Sequence, residues 1–199
     1  TLEPVGEGPS ALFDDALALA GLSAAAAVAN GGTIWTPQIA KGLVASDGTV
    51  VKTFKPKKAG TLPVSKANLA FLRQAFTDVT TEPYGTGYNP FRGFPLDQIP
   101  VAAKTGTGQA ATAGDQSTSW FATFAPSNAP KYAVVMMVSQ GGFGASVSGV
   151  GVKDIYTALF GVKGNTADPK AAIFPASGPV STIPKIDTKS AAEKKVVKK

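Results

Sequence analysis

Apolar residues recur along this chain with two different periods, and the change of period separates helices from strands. From Asp15 to Asn30, alanine and leucine fill an unbroken stretch. Asp14 or Asp15 can cap its start and Asn30-Gly31-Gly32 can end it, which predicts a helix. Leu19, Leu22, Ala26 and Ala29 fall on one face, and the small alanines admit close packing. Thr33 to Trp35 reads as a short extended piece. Leu43-Val44, then Ser46-Asp47-Gly48, then Thr49 to Phe54 predict a hairpin about an Asp-Gly turn. Ser65 to Thr80 predicts a second helix capped by Ser65, with Leu69, Leu72, Ala75, Phe76 and Val79 as its apolar face.

Residues 81–100 are rich in Gly, Pro and aromatics and read as an ordered loop, long for a mere connection. Three strands are then predicted: Val101 to Gly106, Ser119 to Phe124, and Tyr132 to Ser139. The third, Ala133-Val-Val-Met-Met-Val138, is apolar on both faces, as a central strand would be. A glycine-rich link, Gly141 to Gly151, leads to a closing helix, Val152 to Phe160, with Ile155, Ala158 and Leu159 facing inward. Consecutive strands with short links argue for an antiparallel sheet flanked by helices, an α+β architecture. Residues 164–199 read as a basic, disordered tail, and residues 1–163 as the folded part.

Composition removes several chemistries. The 199 residues include neither Cys nor His. Thiol nucleophiles, disulfides, Ser-His-Asp triads and His-based zinc sites are thereby excluded within the chain. No metal or cofactor site is expected. Acid–base work must fall to Lys, Asp, Glu, Tyr or backbone groups. The formal charge of +6 sits largely in the tail, on Lys185, Lys189, Lys194, Lys195, Lys198 and Lys199. No basic stripe with interleaved aromatics is present, so nucleic acid is not an expected partner. No segment has the ~20 apolar residues of a membrane span. The first residue is Thr1 rather than Met, which suggests a fragment or a processed product.

The segment Val101-Ala-Ala-Lys-Thr-Gly-Thr-Gly-Gln109 carries the candidate chemistry. Side chains alternate on a strand, so Lys104 and Gly106 share one face, and Thr105 and Thr107 the other. Gly106 removes the side chain beside Lys104 and would let a substrate backbone approach. Lys104 offers charge and three donors, the threonines offer hydroxyls to a carboxylate, and a backbone N–H beyond the glycine can face an oxyanion. The same residues also fit a solvated lysine on an edge strand before a turn, and spacing leaves both readings open. A phosphate loop is excluded, because Ala103 and Gln98 stand where its glycines are required.

Lys104-Thr105-Gly106-Thr107 resembles the Lys-Thr/Ser-Gly-Thr/Ser motif of serine penicillin-recognising enzymes. Other stretches follow in that family's order: Ala29-Asn-Gly-Gly-Thr33, Gly93-Phe-Pro-Leu-Asp97, Trp120-Phe-Ala-Thr-Phe-Ala-Pro126, Gln140-Gly-Gly142 and Leu159-Phe-Gly161. Together they resemble the C-terminal part of the transpeptidase domain of class B, elongation-type penicillin-binding proteins of actinobacterial type. The resemblance spans roughly Gly6 to Val162. It implies the serine β-lactamase/penicillin-binding transpeptidase fold and a D,D-transpeptidase that cross-links peptidoglycan stem peptides through a serine acyl-enzyme.

The resemblance also implies roles. Lys104 would hold the proton network and positive potential. Thr105 and Thr107, with Gly106 between them, would bind the carboxylate of a stem peptide or β-lactam. The Thr107 N–H would be one of two oxyanion donors. Partners would be stem peptides, β-lactams, the N-terminal part of the same protein and cell-wall elongation proteins, at the extracytoplasmic face of the membrane. The family's Ser-x-x-Lys and Ser-x-Asn motifs are absent from the chain, so the isolated chain is expected to be inactive. Departures are Ala103 for a more usual glycine, Glu7 in place of a Gly-Gln-Gly segment, and an altered start to the first helix. A non-catalytic wall-peptide or β-lactam sensor on the same fold is the alternative function.

Overall fold

The computed structural model describes residues 9–109 and 116–173. Helix α1 runs from Pro9 to Ala29, starting earlier than Asp14 or Asp15 would set it. Proline suits a first helical position, where its missing N–H is not needed. The helix stops at Gly31 and Gly32, whose φ angles are +86° and +107°. Asn30 then accepts from the Thr33 amide at 2.8 Å and donates to the Thr33 carbonyl at 2.9 Å, turning the chain into strand β1, Thr33–Trp35.

Strands β2, Gly42–Val44, and β3, Val50–Thr53, form the expected hairpin. The Asp47 carboxylate accepts from the Thr49 amide at 2.9 Å, and that bond holds its carboxyl below the usual range. Strand β4, Lys58–Thr61, pairs antiparallel with β1. Its sequence, Lys-Ala-Gly-Thr, carries no strand signal, which is why the pattern missed it. Helix α2, Lys66–Thr81, begins where expected, with the Ser65 hydroxyl accepting from the Asn68 amide at 3.1 Å.

Strands β5, Ala102–Gly108, β6, Thr118–Ala125, and β7, Tyr132–Val138, form an antiparallel sheet in the order β5-β6-β7. Lys104 lies opposite Ala122 and Ala122 opposite Val135; Gly106 lies opposite Trp120 and Trp120 opposite Met137. Among the described residues β6 is the strand paired along both edges. Every residue of β7 is only half-buried, whereas Ser119, Phe121, Thr123, Phe124 and Ala125 of β6 are buried. An all-apolar run cannot by itself distinguish a central strand from an edge strand whose two faces are both covered.

Helix α1 lies over the sheet face that carries Lys104, Ala122 and Val135. Its sheet-facing residues are Gly21, Ala24, Ala25 and Val28. Of the expected inner face, Ala29 is buried against Ala102 and Phe124, whereas Leu19, Leu22 and Ala26 line a groove with Trp35 and Pro37, and Leu19 is exposed. A helix apolar nearly all round gives periodicity nothing to choose between. The opposite sheet face packs on helix α3, Ser148–Phe160, and on the long loop. Phe91, Phe94, Ile99, Val101, Phe121, Val152 and Tyr156 are buried together there. Val152 and Tyr156 are the buried apolar positions of α3, with Leu159 of the expected set packed against the same core, and the helix begins four residues before the expected start, at the buried Ser148.

Past α3, strands β8, Val162–Lys163, and β9, Thr166–Ala167, form a second hairpin. The Gln98 side chain accepts from the Ala167 amide at 3.2 Å, and the Ile173 amide donates to the Ala158 carbonyl at 3.0 Å. The boundary expected at residue 163 falls inside this hairpin. The rest of the basic tail, residues 174–199, lies outside the described residues.

Candidate active site

Among the described residues strand β5 is an edge strand of its sheet, and its start is held by α2. The buried Thr80 hydroxyl donates to the Val101 carbonyl at 2.6 Å, and Ala102 and Ala103 are buried beneath it. From Lys104 onward the strand emerges to the surface. The alternation expected from sequence holds through the motif, because the β5–β6 register runs without a bulge from Ala102 to Gly108.

On one face lies a hollow of about 330 Å³ lined by Gly21, Lys104, Gly106, Trp120, Ala122 and Val135, with Thr105 at its edge. A second hollow of about 250 Å³ continues from Lys104 under α1, between Gly21, Ala24, Ala25, Val28, Phe76 and Phe124. Both exist because α1 presents glycine and alanine to the sheet. Gly106 is tightly faced as well: a Cβ there would stand 3.1 Å from the Trp120 Cβ. Trp120 itself is half-buried and walls the hollow. The Lys104 ammonium donates to the Thr105 carbonyl, so that carbonyl faces the open edge of β5. An antiparallel residue points its N–H and C=O to the same side, and every second residue repeats the direction. The Thr107 N–H therefore faces the same open edge.

On the other face, the two threonine hydroxyls are held by two different loops. Thr105 Oγ1 meets Thr86 Oγ1 of the long loop at 2.9 Å. Thr107 Oγ1 accepts from the Gly144 amide at 2.9 Å. Thr107 is exposed, Thr105 half-buried and Lys104 exposed. The site is thus a strand edge with an ammonium on one side, two oriented hydroxyls on the other, and outward backbone groups between. Such an edge suits an extended chain with an anionic end, bound by main-chain and hydroxyl donors.

Thr86 and Gly144 were not singled out by sequence, since each meets the motif only through the fold. The aromatics of the long loop divide: Phe91 and Phe94 are buried anchors in edge-to-face contact at 5.5 Å, while Tyr84 is exposed. Among the described residues no group of acidic side chains is arranged to hold a metal, and no helix is long and apolar enough to cross a membrane.

Residues 17–157 match the penicillin binding protein transpeptidase domain. The chain belongs to that family. Solved structures agree in fold. Penicillin-binding protein A from M. tuberculosis, described as an imipenem acyl-enzyme complex, is 28% identical with a TM-score of 0.57; the match covers 71% of this chain and 30% of that one. The D,D-transpeptidase domain of a peptidoglycan glycosyltransferase from Eggerthella lenta is 26% identical with a TM-score of 0.57, over 69% of this chain and 30% of that one. Pseudomonas aeruginosa PBP2 is 25% identical with a TM-score of 0.57, over 74% of this chain and 31% of that one. This transpeptidase chain therefore spans about a third of the length of these relatives. Separately, 29 residues are 90% identical to the DNA repair protein RecO of Caulobacter vibrioides, covering 12% of that protein. So short a stretch carries neither the fold nor the function of RecO.

Proposed function

We propose that this chain supplies the Lys-Thr-Gly-Thr strand of a serine D,D-transpeptidase that cross-links peptidoglycan stem peptides and is acylated by β-lactams. The single observation that carries the reading is the open edge of β5, where Lys104, the Thr105 and Thr107 hydroxyls and an outward Thr107 N–H converge. In the proposed mechanism a serine from a segment outside this chain attacks the penultimate D-Ala carbonyl of the donor peptide. Developing negative charge on the carbonyl oxygen is met by the Thr107 N–H and the serine's own N–H. The Lys104 ammonium lowers the cost of that charge and assists proton movement at the serine hydroxyl. The Thr105 and Thr107 hydroxyls hold the terminal carboxylate. The terminal D-Ala leaves, and an amine of a second stem resolves the acyl-enzyme.

The hollow beside Lys104 supports this arrangement. Its walls are largely apolar, and Lys104 lines both of its parts. Residues 1–163 form part of the catalytic domain, and residues 164–199 include the basic tail. The activity belongs to the extracytoplasmic side of the membrane, with stem peptides and β-lactams as ligands.

Labelled penicillin tests the reading. The whole-length protein that contains this chain should become covalently labelled, while the chain alone should not. Lys104→Ala should slow labelling by ~10²–10³, the scale of losing one electrostatic stabiliser, with the melting temperature nearly unchanged. A whole-length protein that binds wall peptide but takes no label would favour the sensor function instead.

A further inference from the structure

Thr107 is exposed at the end of an edge strand, yet its oxygen already has a partner, the Gly144 amide at 2.9 Å. With one lone pair occupied by that N–H, the hydroxyl hydrogen is left to donate outward, toward an anion. What fixes the Gly144 amide is therefore part of the orientation of Thr107. Gly144 has φ +50°, and nothing but the Thr105 Cβ, at 3.9 Å, approaches where its own Cβ would be. Side-chain packing does not hold it. Two buried serines do.

The Ser119 hydroxyl donates to the Gly144 carbonyl, and Ser148 Oγ stands 3.3 Å from that carbonyl and 2.7 Å from Ser119 Oγ. Both serines are fully buried. One proton arrangement satisfies both hydroxyls: Ser148 donates to Ser119, and Ser119 donates to Gly144. Ser119 also accepts from the Ser148 amide at 3.4 Å, serving the first turn of α3, where Val147 provides no side-chain cap. One step earlier, the Gly142 amide donates to the Ser117 carbonyl at 2.9 Å. The 141–147 loop is thus pinned to the start of β6 at alternate residues, and its Gly144 amide is presented to Thr107.

We infer that Ser119 and Ser148 are positioning residues for Thr107. Through Gly144 they set its hydroxyl to receive the carboxylate of a substrate. The inference rests on the transpeptidase reading. It adds to that reading two buried serines, 29 residues apart, that touch no substrate.

The test uses the whole-length protein and two probes, penicillin G and its methyl ester. Ser148→Ala and Thr107→Val should each slow acylation by penicillin G about tenfold, the worth of one hydrogen bond to a charged group, and slow the ester, which offers no charge, much less. Combining them should be no slower than Thr107→Val alone, because both act through one hydroxyl. Equal slowing with acid and ester, or multiplying losses in the double variant, would overturn the inference and leave the serines a purely architectural role. If the unaltered protein takes no label from either probe, the transpeptidase reading itself fails. The link to Gly144 is then decided by its amide resonance and hydrogen exchange in this chain. An unchanged resonance in Ser148→Ala overturns it, and a shifted, faster-exchanging amide upholds it.

Discussion

Tyr156 of α3 and Thr123 of the central strand meet through their hydroxyls at 2.8 Å, both fully buried. Thr123 also donates to the Val134 carbonyl at 2.9 Å, so the shared proton comes from Tyr156. Removal of either hydroxyl is consequently unequal. Tyr156→Phe leaves Thr123 satisfied and should cost about 1 kcal/mol, while Thr123→Val strands a buried phenol and should cost about 1–3 kcal/mol. Urea unfolding of the two variants side by side checks the order; a costlier Tyr156→Phe would contradict it.

The same phenol makes stability pH-dependent. Burial pushes the Tyr156 hydroxyl well above the ordinary tyrosine value. Its folded value is raised, so its contribution is complete below the unfolded value of about 10. Above that pH the unfolded chain ionises first and stability falls. Between pH 8 and pH 11 the unaltered protein should lose more stability than Tyr156→Phe does. Parallel losses would show that other groups carry the dependence.

Gly85 sits directly on the end of α2. A Cβ there would collide with the Val79 carbonyl and stand 2.6 Å from the Asp78 carbonyl. The obstacle is backbone, which cannot move aside as a side-chain tip can. Gly85→Ala should therefore destabilise by about 1–3 kcal/mol, as overpacking does, and should loosen Thr86 from Thr105. Thermal unfolding reads the first effect, and hydrogen exchange along residues 82–88 reads the second.

Thr80→Val probes how α2 holds the motif strand. The substitution keeps the shape but leaves the buried Val101 carbonyl without its donor at 2.6 Å, a loss of about 1–3 kcal/mol. Because Val101 leads directly into Ala102 and Ala103, amide exchange at the start of β5 should rise more than at β7. Uniform acceleration across the sheet would refute a local anchor.

Gly106→Ala separates access from folding. Its methyl would press on Trp120, with Cβ atoms 3.1 Å apart, and would narrow the hollow beside Lys104. A moderate stability loss of about 1–2 kcal/mol is expected, together with a much larger drop in penicillin labelling of the whole-length protein. Labelling that falls only in proportion to stability would mean that the substrate does not approach there.

Much of the architecture was legible because its signals are local. Ser65 and the period of Leu69, Leu72 and Phe76 announce α2, and Ser46-Asp47-Gly48 announces the β2–β3 hairpin. The motif strand announced itself through Lys104-Thr105-Gly106-Thr107 and strict alternation. Strand β4 was invisible, because Lys-Ala-Gly-Thr extends only by pairing with β1.

By itself the sequence determined which residue types could do chemistry here, by lacking Cys and His, and which strand holds the Lys-Thr-Gly-Thr run. It also determined that lysine and threonines fall on opposite faces, since alternation is a property of one strand alone. Only the tertiary structure decided what meets those faces: Thr86 across 19 residues, Gly144 across 37, and the Gly21 and Ala25 side of α1 rather than its leucines. Backbone geometry acts between neighbours along the chain. Orientation of a hydroxyl, and the space beside an ammonium, depend on contacts made only when distant segments close on one another.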